Sequence, residues 1–249
     1  MRKISQLRNL KYIGQIRSNM SDLTVTGLTI IKNVTLHNYP IRYAYDTIEP
    51  VLDELIIVVG NSSDNTMEIA TDMAEKHGNA RIIKVSWPDG NPRVLGKVTN
   101  IGLRKCKGNW IYYFQADEFA DRNKLDLIRD ALKHETNSYL FPFVHFYGDI
   151  RHLQKYPTYK YAIRLFKNKK FGVSSDLDAW SFTGFKIYKS LQINRIFPTS
   201  YLDFPIYHSH NIGANASRGI ARGDVYAGRT IEYDGFVPQE LLRFYNTLL

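Results

Sequence analysis

The most informative stretch of this sequence is Leu55-Ile-Ile-Val-Val-Gly-Asn-Ser-Ser-Asp-Asn-Thr66. Its first half is a run of branched apolar residues, which is typical of a strand buried on both faces. Its second half is a polar turn of Asn, Ser and Asp residues, which favours the start of a helix. A helix that begins directly after a strand turns its N–H groups towards an anionic or nucleotide ligand. The stretch therefore predicts such a site, although a turn and a helix cap would also explain residues 61–64.

Strand-like and helical segments alternate on both sides of this stretch. The strand-like segments cover residues 27–32, 53–60, 81–87 and 109–115, and the helical segments cover residues 39–49, 64–77, 95–106 and 123–134. Ser63 or Asp64 is placed to cap the second of these helices, and Asp121 the fourth. Because parallel strands need a crossover connection, this order predicts an α/β fold with a mainly parallel, Rossmann-type sheet flanked by helices.

The second half of the chain has a different pattern. After residue 138 the alternation gives way to aromatic-rich strands and loops at residues 139–147, 161–168 and 180–188. Ligands of open α/β sheets bind beyond the carboxyl ends of the strands. We therefore expect a single domain over residues 23–249, with the main ligand-binding half at about 27–135 and an aromatic-rich half at about 136–249.

The N-terminal segment differs from the rest of the chain. Residues 2–20 carry five basic residues and no acidic one, with apolar residues at helical spacing. This predicts a basic amphipathic helix over residues 1–22, which either packs on its own domain, the commoner outcome, or docks on an anionic membrane surface. No apolar run approaches the roughly 20 residues of a spanning helix, and Lys11 and Arg17 interrupt any secretory signal. We expect a cytoplasmic protein, with the inner membrane surface as a peripheral alternative.

Composition narrows the function without choosing it. The chain has 33 Lys and Arg residues against 24 Asp and Glu residues, a net charge of +9 that attracts nucleotides, phosphates, nucleic acids or acidic lipids. Aromatic residues make up 13% of the chain, which suits sugar rings but also suits an ordinary core. The single cysteine, Cys106, permits no intramolecular disulfide, as in proteins of a reducing compartment.

A second informative stretch is Trp110-Ile-Tyr-Tyr-Phe-Gln-Ala-Asp-Glu-Phe119, where an apolar strand ends in two adjacent acids. Carboxylates are preferred ligands of Mg²⁺ and Mn²⁺, which commonly take one or two of them together with substrate phosphates. An acid after a strand also caps helices, so the stretch alone leaves both readings open.

Together these stretches resemble glycosyltransferase family 2, whose α/β nucleotide-sugar-binding fold is called GT-A. The family's Asp-Asp/Asn-Gly-Ser-Thr-Asp-Asn-Thr-like turn is matched by residues 60–66, and its Gly-Lys-x-x-x-x-Asn-x-Gly stretch is matched by residues 96–102 with two residues fewer between the lysine and the asparagine. Its Asp-x-Asp motif falls on residues 115–117, and the resemblance covers about residues 27–135. It implies that the nucleotide sugar is bound by Lys32, Asn33, Gly60, Asn61, Asp64, Lys97, Asn100, Gln115, Ala116 and Asp117.

The sequence departs from the family pattern at two places. The acid that usually contacts the base is replaced near Gly60, and the first aspartate of the Asp-x-Asp motif is Gln115. The second aspartate, Asp117, is retained. Because this second position generally binds the metal in the family, the resemblance implies Mn²⁺ or Mg²⁺ on Asp117.

The resemblance also implies an inverting transfer, in which a carboxylate takes the proton of the acceptor hydroxyl. Asp176 and Asp178 are the best candidates, because they lie in the polar turn Ser174-Ser-Asp-Leu-Asp-Ala-Trp180 on the acceptor side. We favour Asp178. Asp149 and Asp203 are weaker candidates, and each of the four acids is otherwise explained as a loop cap.

Two histidines of the second half are of interest. His208, in Tyr207-His-Ser-His-Asn211, is a candidate metal ligand facing the diphosphate, although hydrogen-bonded histidines are commoner. His145, with Phe146, Tyr147 and Trp180, is expected to shape the acceptor site. For each of these four residues, packing in the core is the stronger alternative.

The resulting hypothesis is a metal-dependent glycosyltransferase that moves a sugar from a UDP- or GDP-linked donor to a glycan or lipid-linked acceptor. One alternative is a sugar-phosphate nucleotidyltransferase, but such enzymes have a glycine-rich loop after the first strand, and residues 29–35 contain no glycine. The other is a nucleic-acid-binding protein, which only the charge and the aromatic content favour, so no nucleic acid is expected as a partner.

Overall fold

A parallel sheet flanked by helices lies at the centre of the structure. The computed structural model describes residues 23–88, 90, 94–157, 159–168, 172–173, 182–183, 198–212 and 230–248. Its first strands are β1 Val25–Ile31, β2 Glu54–Gly60, β3 Ala80–Val85 and β4 Trp110–Tyr113. These four strands are parallel and lie in the order β3-β2-β1-β4. The connecting helices are α1 Ile41–Ile48, followed by a 3-10 turn at Glu49–Val51, α2 Thr66–His77 and α3 Val94–Leu103. The predicted α/β fold is confirmed.

The second half of the chain extends the same sheet with strands of mixed direction. After β5 Glu118–Phe119, the 3-10 turn Arg122–Lys124 and α4 Leu125–Ala131, the chain forms β6 Ser138–Gln154 and β7 Tyr161–Lys167. β7 is antiparallel to both β4 and β6, and the sheet continues in the order β4-β7-β6-β11-β5. The remaining elements are β8 Gly172–Val173, β9 Phe182–Thr183, β10 Thr199–Tyr201, β11 Ile206–Ile212, β12 Thr230–Glu232 and α5 Gln239–Asn246. β10 and β12 pair with β6, and β8 pairs with β9 in a separate sheet.

Both faces of β1, β2 and β4 are buried, as the unbroken apolar run of β2 predicted, whereas the edge strand β3 is half-buried. Leu55, Ile57 and Val59 pack on one face together with side chains of α1, α2 and α4. Ile56 and Val58 pack on the other face together with side chains of α3. α3 approaches the sheet closely at Gly102, where a Cβ atom would collide with the side chains of Leu28 and Val58. A third apolar cluster joins α5 to β5, β6 and β11.

Two elements differ from their predicted bounds. The strand predicted at residues 139–147 continues to Gln154, because β12 pairs with its last residues. Gly148, within this strand, has a positive φ of 78°. The helix predicted at residues 123–134 starts as a 3-10 turn, so only Leu125–Ala131 is α-helical. The cap predicted for it is confirmed, since the Asp121 side chain accepts a hydrogen bond from the Asn123 N–H.

In the residues that the structure describes, there is no helix of sufficient length and apolar character to cross a membrane. The helix predicted at residues 1–22 lies outside these residues.

Candidate functional site

The carboxyl ends of β1, β2 and β4 bring most of the predicted site residues to one edge of the sheet. The strands are parallel neighbours, so the turns that follow them meet at this edge. Lys32 and Asn33 follow β1, Gly60 and Asn61 lie at the end of β2, and residues 115–117 follow β4. The predicted edge is therefore the one at which these segments converge.

The turn after β1 and the turn after β2 are locked to each other. The Asn33 side chain accepts a hydrogen bond from the Ser63 N–H at 2.9 Å, and the Asn33 N–H donates to the Ser62 hydroxyl at 3.1 Å. Asn33 has a positive φ of 50°, which Asn tolerates better than most residues. The two turns thus form one shaped surface.

The Asp64 carboxylate joins the turn after β1 to the start of α2 through hydrogen bonds. One carboxylate oxygen accepts from the N–H groups of Thr35 and Leu36, both at 2.8 Å, and the other accepts from the N–H and hydroxyl of Thr66. Burial opposes ionisation, but these donors outweigh it and hold the pKa of Asp64 below its ordinary value. The prediction that Ser63 or Asp64 caps α2 is wrong, because the N-cap residue is Asn65 and its side chain makes no capping hydrogen bond. Asp64, one residue earlier, accepts from the N–H of the first helical residue and joins the start of α2 to the turn after β1.

A cleft of about 350 Å³ opens beside this surface, between the ends of β2 and β3. Its lining includes Gly60, Asn61, Asp64, Lys84 and Ser86. A Cβ atom at Gly60 would lie 2.9 Å from the Trp87 side chain, so only glycine fits there without a shift. The size and the mixed polar and apolar lining suit a small organic ligand.

Lys32 and Asn61 hold the segment that follows β3. The Lys32 ammonium donates to the Trp87 carbonyl at 2.8 Å, and the Asn61 side chain accepts from the Trp87 N–H at 2.9 Å. Both residues were predicted to bind the ligand directly; through these bonds they also support the cleft wall, and Asn61 itself lines the cleft. Trp87 is the residue that sequence reasoning missed here.

Lys97 and Asn100 lie on α3, which starts at the same edge because it leads from β3 to β4. Lys97 is exposed to solvent, whereas Asn100 is half-buried. An exposed ammonium group one turn into a helix suits an anionic ligand better than a core position.

Asp117 lies in the turn between β4 and β5, and β11 fixes its backbone. Its carbonyl oxygen accepts hydrogen bonds from both the N–H and the hydroxyl of Ser209, at 3.0 and 3.3 Å. In the antiparallel pairing of β5 and β11, the residue before Ser209 lies opposite Glu118 and so next to Asp117. That residue is His208, whose Nε2 lies 3.5 Å from Asp117 Oδ2, with the two side chains only 13% and 6% exposed. The two predicted metal ligands are therefore adjacent.

Glu118, the second acid of the turn, has a different role from the one its position suggested. It forms a two-point ion pair with Arg164, with distances of 2.6 and 2.8 Å and both side chains almost completely buried. Glu118 also accepts from the Gln115 N–H at 3.2 Å, which closes the turn around the buried Ala116. Glu118 is thus an anchor of the turn and not a second ligand.

Arg164 was missed by sequence reasoning, although one signal was present. Its guanidinium lies over the rings of Tyr113 and Phe143, at 5.5 and 5.1 Å from their centres. Burial alone would lower the pKa of Arg164, but Glu118 outweighs burial and raises it. An arginine in the middle of the apolar segment Ile163-Arg-Leu-Phe166 must have a buried carboxylate partner, because an unpaired charge there is too costly.

His145 makes contact with His208 and not with solvent. The Nδ1 atoms of the two rings are 2.9 Å apart, and His145 Nε2 lies 2.8 Å from the Tyr159 carbonyl oxygen. Burial, with His208 next to it, lowers the pKa of His145 to about 3, so the ring is neutral at physiological pH. Phe146, expected at the acceptor site, instead packs in the core against Tyr207.

The donor atoms of Asp117 and His208 fit a divalent cation. A carboxylate oxygen and an imidazole nitrogen suit Mn²⁺, and their separation allows both to bind one ion at about 2.1 Å each. Within the described ranges, no group of three or more His, Cys, Asp and Glu residues is arranged to hold a metal ion. Mg²⁺ commonly takes substrate phosphates and water as ligands beside one or two side chains.

The remaining candidates fall into two groups. Asp176, Asp178 and Trp180 lie outside the described residues. Asp149 accepts from the Arg151 N–H at 2.7 Å and pairs with His152 at 2.8 Å. Although burial opposes it, these partners lower the pKa of Asp149.

Comparison with known proteins gives a family and a fold. The family model described as "Glycosyl transferase family 2" matches residues 37–192, more than half of the chain. The search of curated protein sequences found no match.

Among solved structures, the chain is similar to Staphylococcus aureus TarS 1–349, with a TM-score of 0.52 and 12% identity over 74% of this chain and 60% of that chain. A longer TarS structure gives a TM-score of 0.50 and 13% identity, with 74% of this chain and 36% of that chain covered. The chain thus spans less than two thirds of the length of either. Glucosyl-3-phosphoglycerate synthase from Mycobacterium tuberculosis, solved with Mn²⁺ and UDP, has 22% identity over 54% of this chain and 47% of that chain, with a TM-score of 0.36. At these identities the TarS likeness establishes the shared fold alone.

Proposed function

The chain belongs to glycosyl transferase family 2 and is a glycosyltransferase, and from this premise we propose that it moves a sugar from a nucleoside-diphosphate donor to a hydroxyl acceptor with the help of a divalent cation. The observation that carries the metal assignment is the adjacency of Asp117 and His208. His208 lies in the β5–β11 pairing, and hydrogen bonds from Ser209 of β11 hold the Asp117 backbone beside it, so the sheet fixes their relative position.

The chain's own residues would bind the donor in two parts. The cleft beside Gly60 and Lys84 would take the nucleoside, and the turn after β2, which is hydrogen-bonded to the turn after β1, lines it. The diphosphate would then extend along the strand ends towards Asp117, within reach of the basic side chain of Lys97. We propose a UDP- or GDP-linked sugar as the donor.

Asp117 and His208 would hold Mn²⁺ or Mg²⁺ against the diphosphate. When bound, such a cation neutralises the charge that develops on the leaving diphosphate. Glu118 and Arg164 support this arrangement, because their ion pair fixes the turn that carries Asp117. Because the Asp117 side chain is already held in place, binding of the cation would not have to order it first.

The acceptor hydroxyl would lose its proton to a carboxylate of the second half, for which Asp178, or failing that Asp176, remains our choice. We propose an inverting transfer, in which the base must reach the acceptor on the face of the sugar opposite the leaving group. Asp64 is unsuitable, because both of its oxygens accept hydrogen bonds within the turn. We propose a glycan or a lipid-linked sugar as the acceptor.

The test is binding of UDP and of GDP, each with and without Mn²⁺, measured by thermal unfolding and by calorimetry. A ligand of the native state raises the unfolding midpoint, and we expect this rise with one of the nucleotides only when Mn²⁺ is present. Asp117→Asn should remove the Mn²⁺ effect and leave the midpoint without ligand unchanged. Asp130→Asn is the matched control, since Asp130 pairs with Lys133 on the exposed surface. Equal Mn²⁺-dependent binding by wild type and Asp117→Asn would refute the metal assignment.

A further inference from the structure

Four groups lie in a row from the segment between β6 and β7 to the turn after β4. They are the Tyr159 carbonyl, the His145 ring, the His208 ring and the Asp117 carboxylate, with separations of 2.8, 2.9 and 3.5 Å in that order. The two rings meet because β6 and β11 pair His145 directly with His208. They are perpendicular, with their centres 5.0 Å apart, so that a nitrogen of one ring faces a nitrogen of the other.

The direction of each hydrogen bond in the row follows from its first member. A carbonyl oxygen only accepts, so His145 Nε2 must carry a proton. A second proton on this ring would bury a positive charge, because His145 is only 6% exposed. His145 Nδ1 is therefore an acceptor, and His208 Nδ1 must be the donor.

This order of hydrogen bonds decides which nitrogen of His208 carries the proton that is donated to His145. An imidazole that carries its single proton on Nδ1 has its lone pair on Nε2, and Nε2 is the His208 atom that faces the Asp117 carboxylate. A lone pair and a carboxylate oxygen repel each other unless a cation lies between them. The two atoms that would bind a cation at this position are His208 Nε2 and Asp117 Oδ2.

We propose that His145 is a positioning residue that fixes the tautomer of His208 and so presents Nε2 as a metal ligand. This inference rests on the proposed function, because it assigns the partner of one ligand of the proposed cation. Ligating histidines usually donate their other N–H to a carboxylate, a backbone carbonyl or water. In this chain a second histidine, His145, takes that place. Because His145 donates from Nε2 to the Tyr159 carbonyl, its Nδ1 accepts the proton of His208 Nδ1.

The tautomer can be measured without any metal. Protein labelled with ¹⁵N-histidine is examined by long-range proton–nitrogen correlation at about pH 8, where ordinary imidazoles are neutral. The His208 signals are assigned by their absence in His208→Gln. We expect His208 to carry its proton on Nδ1 in the wild type and to lose this preference in His145→Leu. A wild-type His208 protonated on Nε2 would overturn the proposal whatever the variants do.

The effect on the metal is measured by Mn²⁺ titration calorimetry in the presence of the nucleotide that binds the wild type. We expect His145→Leu to bind Mn²⁺ about 10- to 100-fold more weakly, the range found for partners of metal ligands. His145→Asn should restore most of the affinity, since its side-chain oxygen can accept in place of Nδ1. His152→Gln, which removes a histidine from a surface ion pair, is the control and should bind as the wild type does.

Failure of this inference and failure of the proposed function give different results. If the wild type binds no Mn²⁺, the metal site is wrong and the role of His145 falls with it. If the wild type binds Mn²⁺ and a folded His145→Leu binds it equally well, only the role of His145 is wrong. Circular dichroism establishes folding, and the wild-type tautomer decides the matter if His145→Leu does not fold.

Discussion

Glu118 and Arg164 form a two-point ion pair whose side chains are 2% and 0% exposed. The pair joins the turn of Asp117 to the centre of β7, and it is directly next to the proposed metal ligand. Because both charges are removed from water, each depends on the other.

We predict that Glu118→Gln lowers the free energy of unfolding by about 3–5 kcal/mol, because it leaves the Arg164 charge buried without its partner. Urea unfolding at neutral pH measures the loss. The double variant Glu118→Gln with Arg164→Met should recover part of it, since the buried charge is then gone. Wild-type stability in Glu118→Gln would show that the pair is not required.

A second prediction concerns Asp64 and pH. The pKa of Asp64 is lowered in the folded protein, so its ionised form stabilises the fold above the ordinary pKa, and this contribution is lost as pH falls through the lowered value. We expect Asp64→Asn to lose about 1–2 kcal/mol at pH 7, since hydrogen bonds to Thr35, Leu36 and Thr66 are weakened.

The check is the difference in unfolding free energy between wild type and Asp64→Asn at two pH values. This difference should shrink between about pH 7 and about pH 3. The pKa values of Glu54 and Asp149 are also lowered, against the effect of their burial, but they are present in both proteins and cancel in the difference. A difference that stays constant with pH would contradict the role of the carboxylate.

A third prediction concerns the catalytic base. Asp178→Asn should bind the donor as well as the wild type does, because the metal and nucleotide contacts lie elsewhere, yet lose transfer activity by on the order of a hundredfold or more. Release of nucleoside diphosphate in the presence of an acceptor measures the rate, and calorimetry measures the binding. Unchanged turnover in both Asp178→Asn and Asp176→Asn would move attention to Asp149 and Asp203.

A fourth prediction concerns residues 1–22, which we propose form a basic amphipathic helix that packs on the protein or docks on anionic membrane. Co-sedimentation with vesicles of anionic and of neutral lipid is compared for the full chain and for a variant that lacks residues 2–20. A membrane role predicts salt-sensitive binding of the full chain to anionic vesicles alone. Equal sedimentation of both proteins would exclude that role.

The sequence predicted the parallel half of the fold well and the contacts of the site only in part. Strand β2 is buried at every position, and its apolar run carries that information without reference to the rest of the chain. The fate of Glu118 does not follow from its neighbours, because it is decided by Arg164, 46 residues further on. The same holds for His145, whose partner depends on how β6 and β11 are paired. Local patterns predict elements, whereas side-chain roles at the site depend on the register between distant strands.

The pairing of β5 with β11 also has a consequence for how the protein is made. Asp117 and Ser209, which are hydrogen-bonded beside this pairing, are 92 residues apart in the sequence. A chain still emerging from the ribosome therefore contains the residues that line the cleft long before it contains both proposed metal ligands. Such distant contacts form late, because a long loop must close first. Uptake of the proposed cation would accordingly follow the docking of β11, and nascent chains that have not yet reached β11 would lack the site.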